Sequence, residues 1–118
     1  MTGRPVARIF ACSGEGPPIA DERDALDVIA SALAEDAEVV VVPVHRLSAD
    51  FFRLRTRVAG EIVQKFVTYR LRLAVIGDLS DYLAGSSALR AFVAECNRGG
   101  QTWFLADQAE LDRRLGGG

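Results

Sequence analysis

The chain has 118 residues, 49% of them hydrophobic and 25% charged, with a net charge of −2. A core of that size needs neither disulfides nor a metal to hold it, and no run approaches the roughly 20 apolar residues of a membrane-spanning helix. The slightly acidic balance argues against a general nucleic-acid binder, which is basic as a whole, and the opening MTGRPVAR shows no secretion signal, so a cytoplasmic location is expected.

Val6–Cys12 alternates as a strand and is broken by Ser13-Gly14-Glu15-Gly16-Pro17-Pro18; Ile19 and Ala20 then suggest a short return, hence an N-terminal β-hairpin. Asp21 opens a helix with Glu22 and Asp24 in its first turn, where the helix dipole favours acids, and Leu26, Ile29, Ala30 and Leu33 make its apolar stripe. Val39–Val42 is a continuous β-branched run of the kind buried on both faces of a parallel sheet, limited by Pro43. After a loop, Ala59, Ile62, Val63 and Phe66 define a second helix, with Glu61 and Lys65 spaced as an i, i+4 pair. Leu71–Ile76 is a buried strand ended by Gly77-Asp78. A third helix starts at Ser86 or Ser87, carries Leu89, Phe92, Val93 and Cys96, and stops at Gly99-Gly100. Thr102–Ala106 is the last strand. Asp107 with Glu110 resembles a capping box for a terminal helix bearing Leu111 and Leu115.

The expected order is therefore β-β-α-β-α-β-α-β-α, an α/β fold with a mixed, mostly parallel sheet and about four helices. Residues 1–115 read as a single domain and residues 116–118 as a frayed glycine tail.

Charge is unevenly placed. Residues 1–38 carry a net −5, whereas residues 46–72 hold seven of the 14 basic side chains and a net +5. In α/β sheets ligands gather beyond the carboxyl ends of the strands. Three loops belong there: His45–Arg57, Asp78–Gly85 and the neighbourhood of Asp107. The first is the richest. Arg53, Arg55 and Arg57 alternate with Leu54, Thr56 and Val58, so an extended backbone would aim all three guanidiniums one way and a helical one would spread them. Thr56 stands where it can cap the helix, beside N–H groups that attract an anion. Asp50 suits a turn or cap. Phe51 and Phe52 are adjacent and cannot share one core pocket, so one exposed ring would mark a partner surface and two buried rings a structural role. Gly60, costly inside a helix, suggests close packing against a neighbour. Asp78, at a strand end, is placed either for function or to cap the next turn. The alternative reading of the whole stretch is a solvated face balanced by the acidic N-terminal third.

No metal or cofactor is expected. His45 is the only histidine, and Cys12 and Cys96 are far apart and read as reduced, largely buried thiols. No phosphate loop, nucleophile elbow or paired-carboxylate pattern appears.

The string DFFRLRTRVAGEIVQKFVTYRLRLAVIGD, with the later ECNRGGQTWFLAD, resembles a bacterial domain-of-unknown-function family, number 4180, along nearly the whole chain. That family usually has glycine where Arg57 stands and asparagine where Thr68 stands. The order of elements is also similar to STAS domains of sulfate transporters and anti-sigma factor antagonists. The STAS likeness implies an interaction surface on the loop and helix after the second long strand, and Ser/Thr phosphorylation there would fall on Ser48 or Thr56. The family's Asp-Ser-Ser-Gly-type signature is missing.

The expected function is a non-enzymatic, regulatory STAS-like module that binds a partner protein, or a second copy of itself as a homodimer. Its binding residues would be Asp50, Phe51, Phe52, Arg53, Arg55, Thr56, Arg57, Glu61, Gln64, Lys65 and Asp78. An alternative is a sensor of a small anionic ligand or nucleotide that uses Arg53, Arg55, Lys65 and Asp78. A further alternative is a small enzyme with Asp50, Glu61 or Asp78 as base.

Overall fold

Four short apolar runs form strands β1 (Ile9–Ala11), β2 (Val39–Pro43), β3 (Arg72–Ile76) and β4 (Thr102–Leu105) in a computed structural model that describes residues 8–116. The expected start of the first strand, Val6 and Ala7, lies outside the described residues, as do the last two glycines. Between and after the strands lie α1 (Glu22–Ala34), α2 (Val58–Thr68), α3 (Ser80–Ala84), α4 (Ser87–Arg98) and α5 (Gln108–Leu115). The α/β class is as expected, with five helices rather than four; α3 is a short turn ahead of α4.

All four strands are parallel, in the order β1-β2-β3-β4, with Phe10 beside Val40, Val40 beside Leu73 and Val75 beside Phe104. The expected N-terminal hairpin is not formed. Ile19 makes one parallel bridge with Leu47 instead, its N–H donating to the Arg46 carbonyl at 2.7 Å. Two physical facts decide this. Pro17 and Pro18 offer no N–H for an antiparallel ladder. The Ile19 side chain reaches the core, 3% exposed, by lying beside Leu47 rather than returning along β1.

The loop before it is held from outside. Arg46 Nη1 donates to the carbonyls of Ser13 at 2.7 Å and Glu15 at 3.1 Å, and its Nε to Pro17 at 3.1 Å. A Cβ on Gly16, whose φ is +128°, would stand 3.3 Å from the Arg46 guanidinium carbon. Arg46 is thus spent inside the fold and leaves the basic surface.

Because each crossover steps to the next strand in the same direction, right-handed connections place their helices on one face. The larger core confirms it: Ala25 and Ile29 of α1, Ile62 and Phe66 of α2, and Leu89 and Val93 of α4 pack on Val40, Val42, Leu73, Val75 and Phe104. The opposite face, Val39, Val41, Ala74, Trp103 and Leu105, receives Leu111 of α5. The α2 and α4 stripes are those the spacing predicts. The α1 stripe is rotated: Ala25, Ile29 and Ala32 are buried, while Leu33 is 43% exposed. Small alanines let α1 sit close to the sheet, and the bulkier Leu33 is left outside.

Helix ends follow local chemistry. Asp21, Ser86 and Asp107 cap α1, α4 and α5 by accepting from Asp24, Leu89 and Glu110 N–H groups, each at 3.0 Å. Both α1 and α2 end in Schellman turns, with Ala37 N–H donating to Ala32 O and Leu71 N–H to Phe66 O. The left-handed position of each turn is filled not by glycine but by Asp36 (φ 56°) and Arg70 (φ 59°).

Candidate functional site

The loop after β2 is compact, made of three successive 3-10 turns at Val44–Arg46, Ala49–Phe52 and Leu54–Thr56. Phe51 and Phe52 are both buried, at 0% and 4% exposure, so neither is the exposed ring that would mark a partner surface. The turn sends them to different places. Phe51 enters the core toward Phe104, with centroids 6.2 Å apart, and Phe52 stacks on Tyr82 of α3 at 4.2 Å.

Turn geometry also spreads the arginines. Arg53 and Arg55 line a cavity of about 420 Å³ with Gly85, Ser86 and Ala88, between the loop and the start of α4. Arg53 reaches the Asp50 carboxylate at 3.3 Å, an exposed pair of small energetic weight. Arg57 is turned elsewhere by a left-handed backbone, φ 66°, at the entry to α2. That conformation costs an ordinary side chain about 1–2 kcal/mol and glycine nothing. Thr56 braces this turn. Its Oγ1 lies 2.8 Å from both the Asp50 and the Arg53 carbonyls and accepts from Val58 N–H at 3.3 Å, so it caps α2 from one residue further out than expected.

Arg57 faces a groove of about 570 Å³ that runs over the outward side of α2 and is flanked by α1 and α4. Leu54, Gly60 and Phe92 supply apolar or bare surface, and Glu22, Glu61, Gln64 and Lys65 supply polar groups. Lys65 pairs not with Glu61, as the i, i+4 spacing suggests, but with Glu22 of α1 at 3.7 Å. Gly60 is exposed, and a Cβ built on it meets nothing within 4 Å. The expected close packing at Gly60 is therefore absent. The bare backbone faces open groove.

Asp78 lies in a third cavity, of about 470 Å³, bordered by α3, α4 and the end of β4. Its Oδ1 accepts from Ser80 N–H at 2.9 Å and Ser80 Oγ at 2.6 Å, which opens α3. The Ser80 hydroxyl, then the Ser80 N–H, hold the carboxyl below the usual aspartate range. Asp78 caps the turn.

Arg53 and Arg55, Lys65, and Asp78 thus line three different cavities. The winding gives a reason: a sheet whose strands run in sequential order has no point where the order reverses, and so no crevice between diverging loops. Among the described residues no three His, Cys, Asp or Glu side chains gather to hold a metal. Cys12 and Cys96 both have thiols pushed up by burial. No described helix is long and apolar enough to cross a membrane.

Three groove residues were missed from sequence. Glu22 reads as a helix-dipole acid, Leu54 as a spacer between arginines and Phe92 as core; only the packing of three helices brings them together. Asn97 sits in the last turn of α4, and its amide bonds both main-chain groups of Phe104, a contact that no local spacing announces.

The family model described as Domain of unknown function (DUF4180) matches residues 5–115, and the chain belongs to that family. No curated protein and no solved structure matches it.

Proposed function

We propose that this member of the family is a single-domain, STAS-like regulatory module that works in the cytoplasm and acts by binding, without catalysing a reaction. Its seat would be the groove over α2, and its ligand a segment of a partner protein. The observation that carries this is Gly60: a helix position that forgoes about 0.5–1 kcal/mol relative to alanine, with no neighbour of its own chain to require it. A partner approaching the bare backbone supplies the missing reason.

The roles expected of the loop are thereby reversed. Phe51 and Phe52 belong to the core, so the apolar anchor comes from the partner and enters between Leu54, Gly60 and Phe92. Arg57, which makes no ion pair among the described residues, meets a carboxylate at the rim; Glu61 and Gln64 complete it. The groove is of a size that accepts one or two anchoring side chains. Of the two residues a phospho-switch would use, Ser48 has a buried hydroxyl and the Thr56 hydroxyl braces the turn, so no switch enters the proposal.

A photocrosslinking residue at Gln64 tests it in cells. A discrete adduct is expected, lost on Gly60→Leu, which fills the groove, and weakened by Arg57→Glu, with the melting temperature lowered in neither. An adduct that survives the filled groove would show that the partner sits elsewhere.

A further inference from the structure

The two outer edges of the sheet are not alike. Along β4, Gln101 and Leu105 turn their carbonyls to β3, accepting from Leu73 N–H at 2.9 Å and Gly77 N–H at 3.0 Å. Backbone groups alternate sides along a strand, so Phe104 and Ala106 turn theirs outward. Side chains occupy them. Asn97 Nδ2 donates to Phe104 O at 3.1 Å, Phe104 N–H donates to Asn97 Oδ1 at 2.7 Å, and Ala106 N–H donates to Glu110 Oε1 at 2.9 Å. The Asn97 amide stands where the backbone of a fifth strand would.

On the other edge, Arg8 O accepts from Val39 N–H at 3.1 Å and Cys12 N–H donates to Val41 O at 2.9 Å. Ile9 and Ala11 therefore aim their N–H and C=O groups away from the sheet, and among the described residues nothing bonds them. Ile9 is 40% exposed, Ala11 is exposed and Phe10 is half-buried.

We propose that β1 is a self-association edge: two copies pair their β1 strands antiparallel about a two-fold axis at Phe10, joining two four-stranded sheets into one. The outward groups set the register. Ile9 of one copy faces Ala11 of the other in a hydrogen-bonded pair, a large side chain beside a small one. Phe10 meets its symmetry mate in the closer, non-hydrogen-bonded pair on the opposite face, where each ring covers the exposed half of the other.

A second copy in this closed arrangement, rather than an open-ended stack, follows from the sealed edge. Parallel propagation would place β1 of one molecule on β4 of the next, and Asn97 already fills that place. The contact spans three residues per copy, so the dimer is concentration-dependent.

Sedimentation across micromolar to millimolar concentrations tests it. The mass is expected to double from 12.7 kDa as concentration rises. Ala11→Pro removes only an outward N–H, which an edge strand tolerates, and should abolish the doubling while the circular dichroism is retained. Ile9→Lys, which leaves the backbone intact, should do the same and decides the matter if the proline variant fails to fold. A mass that stays monomeric throughout, or a doubling that survives Ile9→Lys, overturns the proposal. So does a doubling that appears only after residues 1–7 are deleted, because the edge would then belong to the chain's own N-terminal segment.

Discussion

Replacing Gly60 with alanine adds one methyl group at the third residue of α2, where nothing beyond its chain neighbours and the backbone of its own helix lies within 4 Å of it. No clash opposes the change, and the backbone at Gly60 lies outside the left-handed region, so the gain is that of helix propensity and of a less mobile unfolded chain. That amounts to about 0.5–1 kcal/mol. For a 118-residue chain, an unfolding entropy of roughly 2.1 cal/mol/K per residue converts this to a rise in melting temperature of about 2–4 °C. Gly77→Ala is the internal control with opposite sign. Gly77 has φ +142°, and its added Cβ would stand 2.9 Å from Val44 Cγ2, so this variant is expected to lose about 1–3 kcal/mol. Calorimetry or urea melts on the two variants give both signs in one experiment. A Gly60→Ala protein that melts at or below the wild-type temperature would mean that the α2 surface is already occupied within the chain, and the open groove would go with it.

The Schellman turns yield a second pair of variants. Asp36→Gly and Arg70→Gly each relieve a left-handed non-glycine residue, and after the unfolded-state entropy of glycine is set against that relief, each is expected to stabilise by roughly 0.5–1 kcal/mol, seen as a raised urea midpoint with unchanged slope. Asn97→Ala leaves the Phe104 N–H and C=O unpaired and is expected to cost about 1–3 kcal/mol, with amide exchange at Phe104 accelerated. Asn97→Asp should do no better. It keeps the acceptor for Phe104 N–H but sets a carboxylate oxygen against the Phe104 carbonyl; stability equal to the wild type would show that the amide bonds carry no weight.

Local chemistry made much of the fold legible. Val39–Val42 and, past the exposed Arg72, Leu73–Ile76 are too uniformly apolar to face water on either side, which announces parallel strands buried on both faces. Asp21, Ser86 and Asp107 mark helix starts because each can satisfy an N–H a few residues ahead, a requirement that distant parts of the chain do not alter. The interior faces of α2 and α4 are set by 3.6-residue spacing alone.

What the chain pattern left undecided depends on contacts between distant residues. The fate of Ile19 turned on Leu47, distant in sequence, beside which its side chain reaches the core, while the Arg46 guanidinium holds the preceding loop closed. The rotation of α1 turned on how near the sheet its alanines allow it to come. Basic residues clustered in sequence were scattered in space by three tight turns and one left-handed residue, Arg57. The groove over α2 exists only because the parallel, sequential winding sets α1, α2 and α4 side by side on one face. Sequence by itself determined most of the segments that become strands and helices, since apolar runs, side-chain spacing and helix caps act within a few residues. Tertiary structure alone decided which side chains share a surface, since that depends on how whole elements pack.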